Sequence, residues 1–395
     1  MSMFSKIYGY AIVGGGASGL IAALELARLG KAKDVVVLER TDRVGKKLIA
    51  TGNGQGNLYN VNDGIEHYAN GRFAGVALSR FGARSAEAFY RSLGVLPSVK
   101  GDGRAYPSGY QASAVLDLMR ARLAFYGVEI RTEAFVTNVR KKNGIFTLSY
   151  GKEVVAAQKV LLAAGGKAAK QFGTDGSAYA LAQSFGHTVT KTMPSVVQLV
   201  TEREPLRGLK GVKADCVVSV LRGERAVKSA RGEVLFTDYG VSGNAVFSVS
   251  GAAAEGTCAL SLSFLPDVSS ELLAAALQEK VRNAPYLPFG EILTGILPKQ
   301  LGRVLVKRAG ENISAVVATV KDFRLKVTGS LDFSAAQVTK GGIDVRDVRS
   351  GTMESTLEKG LFFSGEILDV DGDCGGYNLL WAYASACAAA EGMTK

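Results

Sequence analysis

Histidine is nearly absent from this sequence, with two residues, His67 and His187. Neither stands in a recognisable catalytic arrangement, so a surface or structural role is expected of each. Cysteine is also sparse, at Cys216, Cys258, Cys374 and Cys387. No two of them form a CxxC metal or redox motif, and a chain of 395 residues has no need of a disulfide framework. There is no apolar run long enough for a membrane span, and Met1 to Tyr10 lacks the apolar stretch of a signal peptide. A cytoplasmic protein without a membrane partner is therefore expected. Internal repeats and low-complexity linkers are missing as well. Prolines number 8 against 48 glycines, and the glycines cluster in short loops. That pattern favours tight turns and close backbone approach to a ligand.

What is present is ordinary in bulk: 47% hydrophobic and 21% charged residues, with length for two or three domains. The net charge is +11, a balance that attracts nucleic acid, anionic lipid or acidic substrates. Acids interrupt the basic residues, however, as Glu204, Asp215 and Glu224 do between Arg203 and Arg231. No basic block carries interleaved aromatics, so nucleic-acid binding stands as a secondary alternative.

Along the chain, Ile7 to Val13 is an apolar strand that runs into glycines, and Leu20 to Leu29 repeats apolar residues at helical spacing until Gly30. Val35 to Leu38 is a second strand, ending at Glu39. This strand–turn–helix–strand unit begins a parallel sheet with crossover helices. Leu48 to Asn62 reads as a polar, glycine-rich loop and Ala112 to Tyr126 as an amphipathic helix. Val128 to Val139 and Gly144 to Tyr150 read as strands of a small β insertion, and Lys159 to Ala164 as a buried strand. From Met193 to Phe264 the pattern is short and β-rich. Ser269 to Gly310 reads as helices broken near Pro285, Pro288 and Pro298. Phe323 to Thr339 returns to strand, Leu361 to Gly365 is a further strand, and Leu379 to Ala390 a final helix.

Gly14-Gly15-Gly16-Ala17-Ser18-Gly19 fits GxGxxG. Gly14 allows the tight turn, Gly16 lets the backbone approach a pyrophosphate, and Gly19 lets helix and sheet pack closely. The helix start, at Ala17 and Ser18, supplies free N–H groups and about half a positive charge to phosphates. Alone the motif is weak. Here it follows a strand, opens a helix, and is followed by Glu39 at a strand end, placed to accept hydrogen bonds from a ribose diol. A solvated strand-end carboxylate is the alternative reading of Glu39. The motif does not choose between NAD and FAD. The stretch after it, with Arg40, Gly45, Lys46, Lys47, Thr51, Gly52, Asn53, Gly54 and Asn57, is small and polar enough to wrap a long dinucleotide. Gly45 can present its amide, and Lys46 or Lys47 its charge, to the pyrophosphate. A solvated basic turn is the alternative for the lysines.

Two segments read as returns of the chain to the same ligand: Ala164-Gly165 after a strand, and Gly365-Glu366, whose carboxylate can bond ribityl hydroxyls. Val136 joins the candidate cofactor set. The loop Leu368 to Leu379 leads into the last helix, whose N-terminus can favour a negatively charged reduced flavin. Asp371, Gly376, Tyr377, Asn378 and Leu379 are candidates there. The Asp371-Gly372-Asp373 pattern lacks the later ligands of a calcium loop, so no metal is expected. Cys374 is expected to be packing, and no residue is assigned as catalytic acid or base.

The segments IVGGGASGL (12–20), GKKLIATGNGQGNLYN (45–60), GEVLFTDYGVSGNAVF (232–247), VTKGGIDV (338–345), TMEST (352–356) and GEILDVDGDCGGYNLLWA (365–382) together span nearly the whole chain. On these the protein resembles the bacterial NAD(P)/FAD-dependent oxidoreductases of aminoacetone-oxidase-like, BaiN/RdsA type. The resemblance implies an α/β fold: a Rossmann-like FAD-binding domain with an inserted β-barrel-like plus helical domain. It implies that Gly14–Gly19 and Glu39 hold the ADP part, and that Lys46–Asn57, Gly365-Glu366 and Gly376–Leu379 lie along the rest of FAD. One departure stands out: the family's Arg-Cys is replaced here by Gln55-Gly56, which removes a cation and a thiol from a loop expected near the flavin.

The expected domains are residues 1–190 and 335–395 for FAD and residues 191–334 for the substrate, β-rich at 191–266 and 319–334 and helical at 267–318. The expected function is an FAD-dependent oxidoreductase moving a hydride between flavin and a small organic substrate held between the two domains. With a single GxGxxG, NAD(P)H is expected as a transient co-substrate, or oxygen as the acceptor. An RNA-associated flavoprotein and a non-catalytic flavin-binding protein are the alternatives. Substrate and oligomeric state are left open.

Overall fold

The computed structural model describes residues 6–395. Residues 1–5, part of the Met1 to Tyr10 start discussed above, lie outside the described residues. The chain forms two compact units, Met1–Met193 with Val338–Lys395, and Pro194–Gln337.

The first unit is built on one seven-stranded sheet. Its parallel part runs Glu129–Arg131, Val35–Leu38, Ile7–Val13, Glu153–Leu162, with Leu361–Phe363 beyond. Val35–Leu38 is buried at all four positions and consists of Val and Leu, as a strand covered on both faces requires. The register aligns Val13 with Leu38 and Leu162, and Leu162 with Phe363. Four strands therefore end together, on the edge where ligands of such sheets bind. Helix Ala17–Arg28 packs against the last helix, Tyr377–Thr394. That last helix is buried on almost every side, which its alanine-rich composition permits.

The structure corrects two local readings in this unit. Val128 to Val139 and Gly144 to Tyr150 do not form a separate β insertion. Glu129–Arg131 is the edge strand of the parallel sheet, and the hairpin of Asn138–Lys142 and Ile145–Tyr150 extends the same sheet. The reason is the length of Glu153–Leu162. Its first half pairs with the hairpin and its second half with Leu361–Phe363. Leu48 to Asn62 is not simply loop: Lys46–Ala50 is a short helix, and Tyr59–Asn60 pairs with Arg104–Pro107.

The second unit contains a closed antiparallel barrel of six strands, as the resemblance implies: Leu199–Thr201, Gly240–Ser242, Arg225–Phe236, Lys213–Arg222, Ala259–Phe264 and Phe323–Ser330, the last returning to the first. Alternation places Cys216, Val218, Val220, Leu260, Leu262 and Phe264 in its core. Helices Ser270–Asn283, Lys299–Ala309 and Ile313–Lys321 complete the unit. Asn244–Ala253 is also a helix, inside the stretch read as β-rich. Its buried residues Ala245, Val246, Val249 and Ala253 follow helical spacing, which its valines and phenylalanine obscured. Among the described residues, no helix is long and apolar enough to cross a membrane.

Candidate functional site

The site grows from the aligned strand ends. Gly14 turns the chain at φ 108°, and its N–H donates to Leu38 O at 2.9 Å. A Cβ on Gly14 would lie 2.6 Å from Ala163 O, and one on Gly19 would lie 1.9 Å from Gly14 O. These two glycines are thus demanded by the protein's own backbone. Gly16 differs: a Cβ there would meet no protein atom within 4 Å. Gly16 also gives helix Ala17–Arg28 no side-chain cap, so the N–H groups of its first turn are left for an acceptor from outside the chain.

Glu39 is 8% exposed. One carboxylate oxygen accepts from Gly15 N–H at 2.8 Å and the other from Thr41 N–H at 2.7 Å. Each oxygen retains a lone pair, so the carboxylate can still take hydroxyl donors. Ala134 N–H donates to Glu39 O, and Val136, two residues further on, is buried. Arg40 pairs with Asp175 at 2.8 Å and lies over the Phe135 ring at 4.3 Å. Burial tends to raise the Asp175 carboxyl, but hydrogen bonds from Arg40 and Ser177 outweigh it and hold it down to about 2.

The next segment departs from expectation in its details. The Gly45 amide does not stand free for a pyrophosphate: it donates to Gly15 O at 2.8 Å, and Gly45 sits at φ 76° to do so. Lys46 pairs with Asp42. Lys47 Nζ bonds Glu366 at 2.7 Å, while the other Glu366 oxygen accepts from Thr339 N–H at 2.9 Å. The structure therefore brings together residues far apart in sequence, and it couples Lys47 to Glu366 directly. Gly52, Asn53 and Gly54 follow in left-handed backbone on an exposed turn, with Thr51 Oγ1 donating to Leu48 O. Ala164 faces Gly14, since a Cβ on Gly14 would lie 2.7 Å from Ala164 Cα, and Gly165 follows in left-handed backbone at φ 74°. Gly365 is held on both sides, its N–H donating to Ser385 Oγ and its carbonyl accepting from Trp381 Nε1. The buried oxygens Asn57 Oδ1 and Ser364 Oγ have no hydrogen-bond partner among the described residues.

The last loop is pinned by its own residues. Asn378 Oδ1 accepts from Gly372 N–H and its Nδ2 donates to Gly372 O, both at 2.8 Å. Asn60 Nδ2 donates to Gly375 O at 2.9 Å. A Cβ on Gly376 would lie 2.6 Å from Tyr59 O and 2.8 Å from Asn57 Oδ1, so Asn57 meets the N-terminus of the last helix. Asp371 is buried, and its carbonyl accepts from Ala69 N–H. Leu379 packs against the unit's core. Burial pushes the Cys374 thiol up, so it is not a ready thiolate. Burial, with the charge of Asp373, pushes the Tyr377 phenol up to about 12.

Sequence reasoning gave His67 a surface or structural role and did not single out Asn60, Arg104 or Thr339. His67 Nδ1 lies 3.0 Å from Asp373 Oδ2, and its ring stacks on Tyr377. These partners are about three hundred residues apart, and no local pattern announces them. His187 is a core histidine, 3% exposed, with Nε2 on Ser355 Oγ at 2.8 Å, and burial lowers its pKa.

Residues 8–392 match the family described as HI0933-like protein Rossmann domain. The 3-dehydro-bile acid delta(4,6)-reductase of Clostridium scindens is 36% identical over 95% of this chain and 96% of its own length. The ribosomal RNA dihydrouridine synthase of Escherichia coli is 29% identical over 97% of each. Among solved structures, the 3-ketosteroid delta1-dehydrogenase of Sterolibacterium denitrificans superposes with a TM-score of 0.50 at 12% identity, over 98% of this chain and 99% of that one, a likeness of fold.

Proposed function

The chain belongs to the HI0933-like Rossmann-domain family and is an FAD-dependent oxidoreductase; from that premise we propose that it reduces a carbon–carbon double bond conjugated to a carbonyl in a small organic molecule, with NAD(P)H as electron donor, in the cytoplasm. The observation that carries this reading is chemical agreement between two relatives aligned over nearly the whole chain. A 3-dehydro delta(4,6) steroid acid and uridine in RNA share a ring C=C conjugated to C=O, and both relatives are named for its saturation.

The residues present fit FAD. Gly16 leaves room over a helix N-terminus at the aligned strand ends, and Glu39 keeps acceptor capacity for a ribose. Asn57 Oδ1 and Ser364 Oγ are buried oxygens in need of partners, which a long polar cofactor would supply. In this reading Gly14, Gly16, Ala17, Ser18, Gly19, Glu39, Arg40 and Val136 hold the ADP part. The segments Gly45–Asn57, Ala164-Gly165, Gly365-Glu366 and Asp371 with Gly376–Leu379 hold the rest. The Lys47–Glu366 pair ties two of those segments together and presents a cation beside them. Bound there, FAD supplies two-electron chemistry. The last helix has no side-chain cap, and its N–H groups and dipole favour the more negative, reduced form. The second unit is barrel and helices, which supports NAD(P)H as a visiting donor without a domain of its own.

The test is an anaerobic titration of the yellow protein with NADH and NADPH, then addition of a conjugated enone. Bleaching followed by recovery of absorbance is expected. Absence of bleaching would count against the nicotinamide donor and turn the search to amines, with oxygen as acceptor. A second reading, action on RNA, is favoured by the name of the E. coli relative and the charge of +11. It requires ribosomal RNA affinity that falls steeply with salt; no binding at low salt ends it.

A further inference from the structure

His67 belongs to the last loop's framework. Asp373 N–H donates to His67 O at 2.9 Å, Ala69 N–H donates to Asp371 O at 2.8 Å, and Tyr68 bridges Gly372. The segment 67–69 is thereby zipped to the loop that opens the last helix. The imidazole stacks on Tyr377, the first residue of that helix, with 4.3 Å between centroids and 23° between planes. Nδ1 lies 3.0 Å from Asp373 Oδ2. An ionised carboxylate only accepts, so Nδ1 carries the proton and Nε2 is the nitrogen left for exchange. The side chain is 29% exposed, which gives it access to water.

The charged and titratable groups around this ring are Glu66 on its own segment, at 3.9 Å from Nε2, Asp373 on the loop, and Tyr377 on the helix. Tyr68, stacked edge-on against Tyr377 and within reach of the charge of Asp63, and the charges of Arg104 and Asp102, which reach Tyr377, lie further out. Burial holds the protons of Tyr377, Tyr68 and nearby Cys374 through the neutral range. Among these groups the imidazole combines an orientation fixed by Asp373 with 29% exposure, so it can exchange its proton with water.

We propose that His67 is the proton donor of this site, delivering a proton from Nε2 to the substrate carbon next to the carbonyl, and that Asp373 is the residue positioning it. The proposal rests on the reductase reading above. Saturating the double bond breaks its π bond and forms two C–H bonds. Two electrons and one proton go to the carbon remote from the carbonyl, drawn from the reduced cofactor. The second proton goes to the near carbon from His67, which becomes neutral and regains a proton from water.

The experiment uses FAD-loaded wild type, His67→Gln and Asp373→Asn, each bleached anaerobically with just sufficient dithionite and mixed with cyclohexenone at neutral pH. In the wild type re-oxidation should be rapid. In His67→Gln it should be about 100-fold slower, within the usual range for a general acid. Asp373→Asn should lie between. FAD content should be unchanged in both. An independent readout is ring nitrogen-15 NMR, readily assigned because the chain has two histidines. Neutral His67 should be the Nδ1–H tautomer in the wild type and move toward Nε2–H in Asp373→Asn. Wild-type rates in His67→Gln, or an Nε2–H ring in the wild type, overturn the proposal and leave the reductase reading standing. A wild type that passes no electrons to the enone removes the reading, and the proposal with it.

Discussion

At the residue scale, glycines of one motif do different work. Gly19 is required by the protein's own packing, whereas Gly16 is flanked by no protein atom that a methyl would meet. Gly19→Ala should therefore destabilise the fold by about 1–3 kcal/mol or more, since a Cβ would collide with backbone. Gly16→Val should leave the unfolding midpoint of the cofactor-free protein nearly unchanged and abolish FAD retention. Urea titration and flavin absorbance separate the two outcomes; equal stability loss in both variants would contradict the assignment. Asp175 offers a pH test. Its carboxyl is held near 2, below the ordinary 3.8. A depressed carboxylate stabilises the fold above the unfolded-state value, and the gain is lost as pH falls through about 2. With 27% of the side chain exposed, the contribution is about 1–2 kcal/mol after screening. Asp175→Asn should be less stable than wild type by that amount at neutral pH, and the two urea midpoints should converge on acidification below the ordinary carboxyl value. A gap that persists in acid would show that lost packing, not charge, is responsible.

At the element scale, the short helix Lys46–Ala50 and the turn after Leu361–Phe363 are joined by Lys47 and Glu366, both largely buried. Removing one partner leaves the other charge poorly solvated. Lys47→Met and Glu366→Gln should each cost about 1–3 kcal/mol, and the double variant should cost less than their sum. Additive losses in a double-mutant cycle would mean that the pair is not coupled. These two segments were legible as separate polar stretches, but their pairing was not, because 319 residues lie between them. Helix Ala112–Tyr126 was legible to its ends because an apolar stripe runs its length and Gly127 stops it in left-handed backbone. Helix Asn244–Ala253 was hidden by residues that favour strands, and packing overrode that preference.

At the scale of the whole molecule, two separate cores underlie the two units, one around the sheet and one inside the barrel. The cofactor residues assigned above all lie in the sheet unit. Calorimetry with and without FAD should show an upward shift of the sheet unit's transition, about 2.7 kcal/mol of stabilisation at one hundred times Kd, with the barrel transition unmoved. A shift of both transitions together would show that the units unfold as one. The strand–GxGxxG–helix–strand–Glu39 order was readable in sequence because each step is local: glycine spacing, a capless helix start and an acid at a strand end are set by neighbours in the chain. The strands and helices of the second unit were likewise foreshadowed by alternation and by proline breaks, and their closing into a barrel by the family resemblance. What tertiary structure alone decided was which side chains meet. It committed the Gly45 amide to Gly15, gave Lys47 to Glu366 and set His67 against Asp373 and Tyr377, because sheet register and the return of the last helix bring together segments whose spacing in the chain carries no distance information.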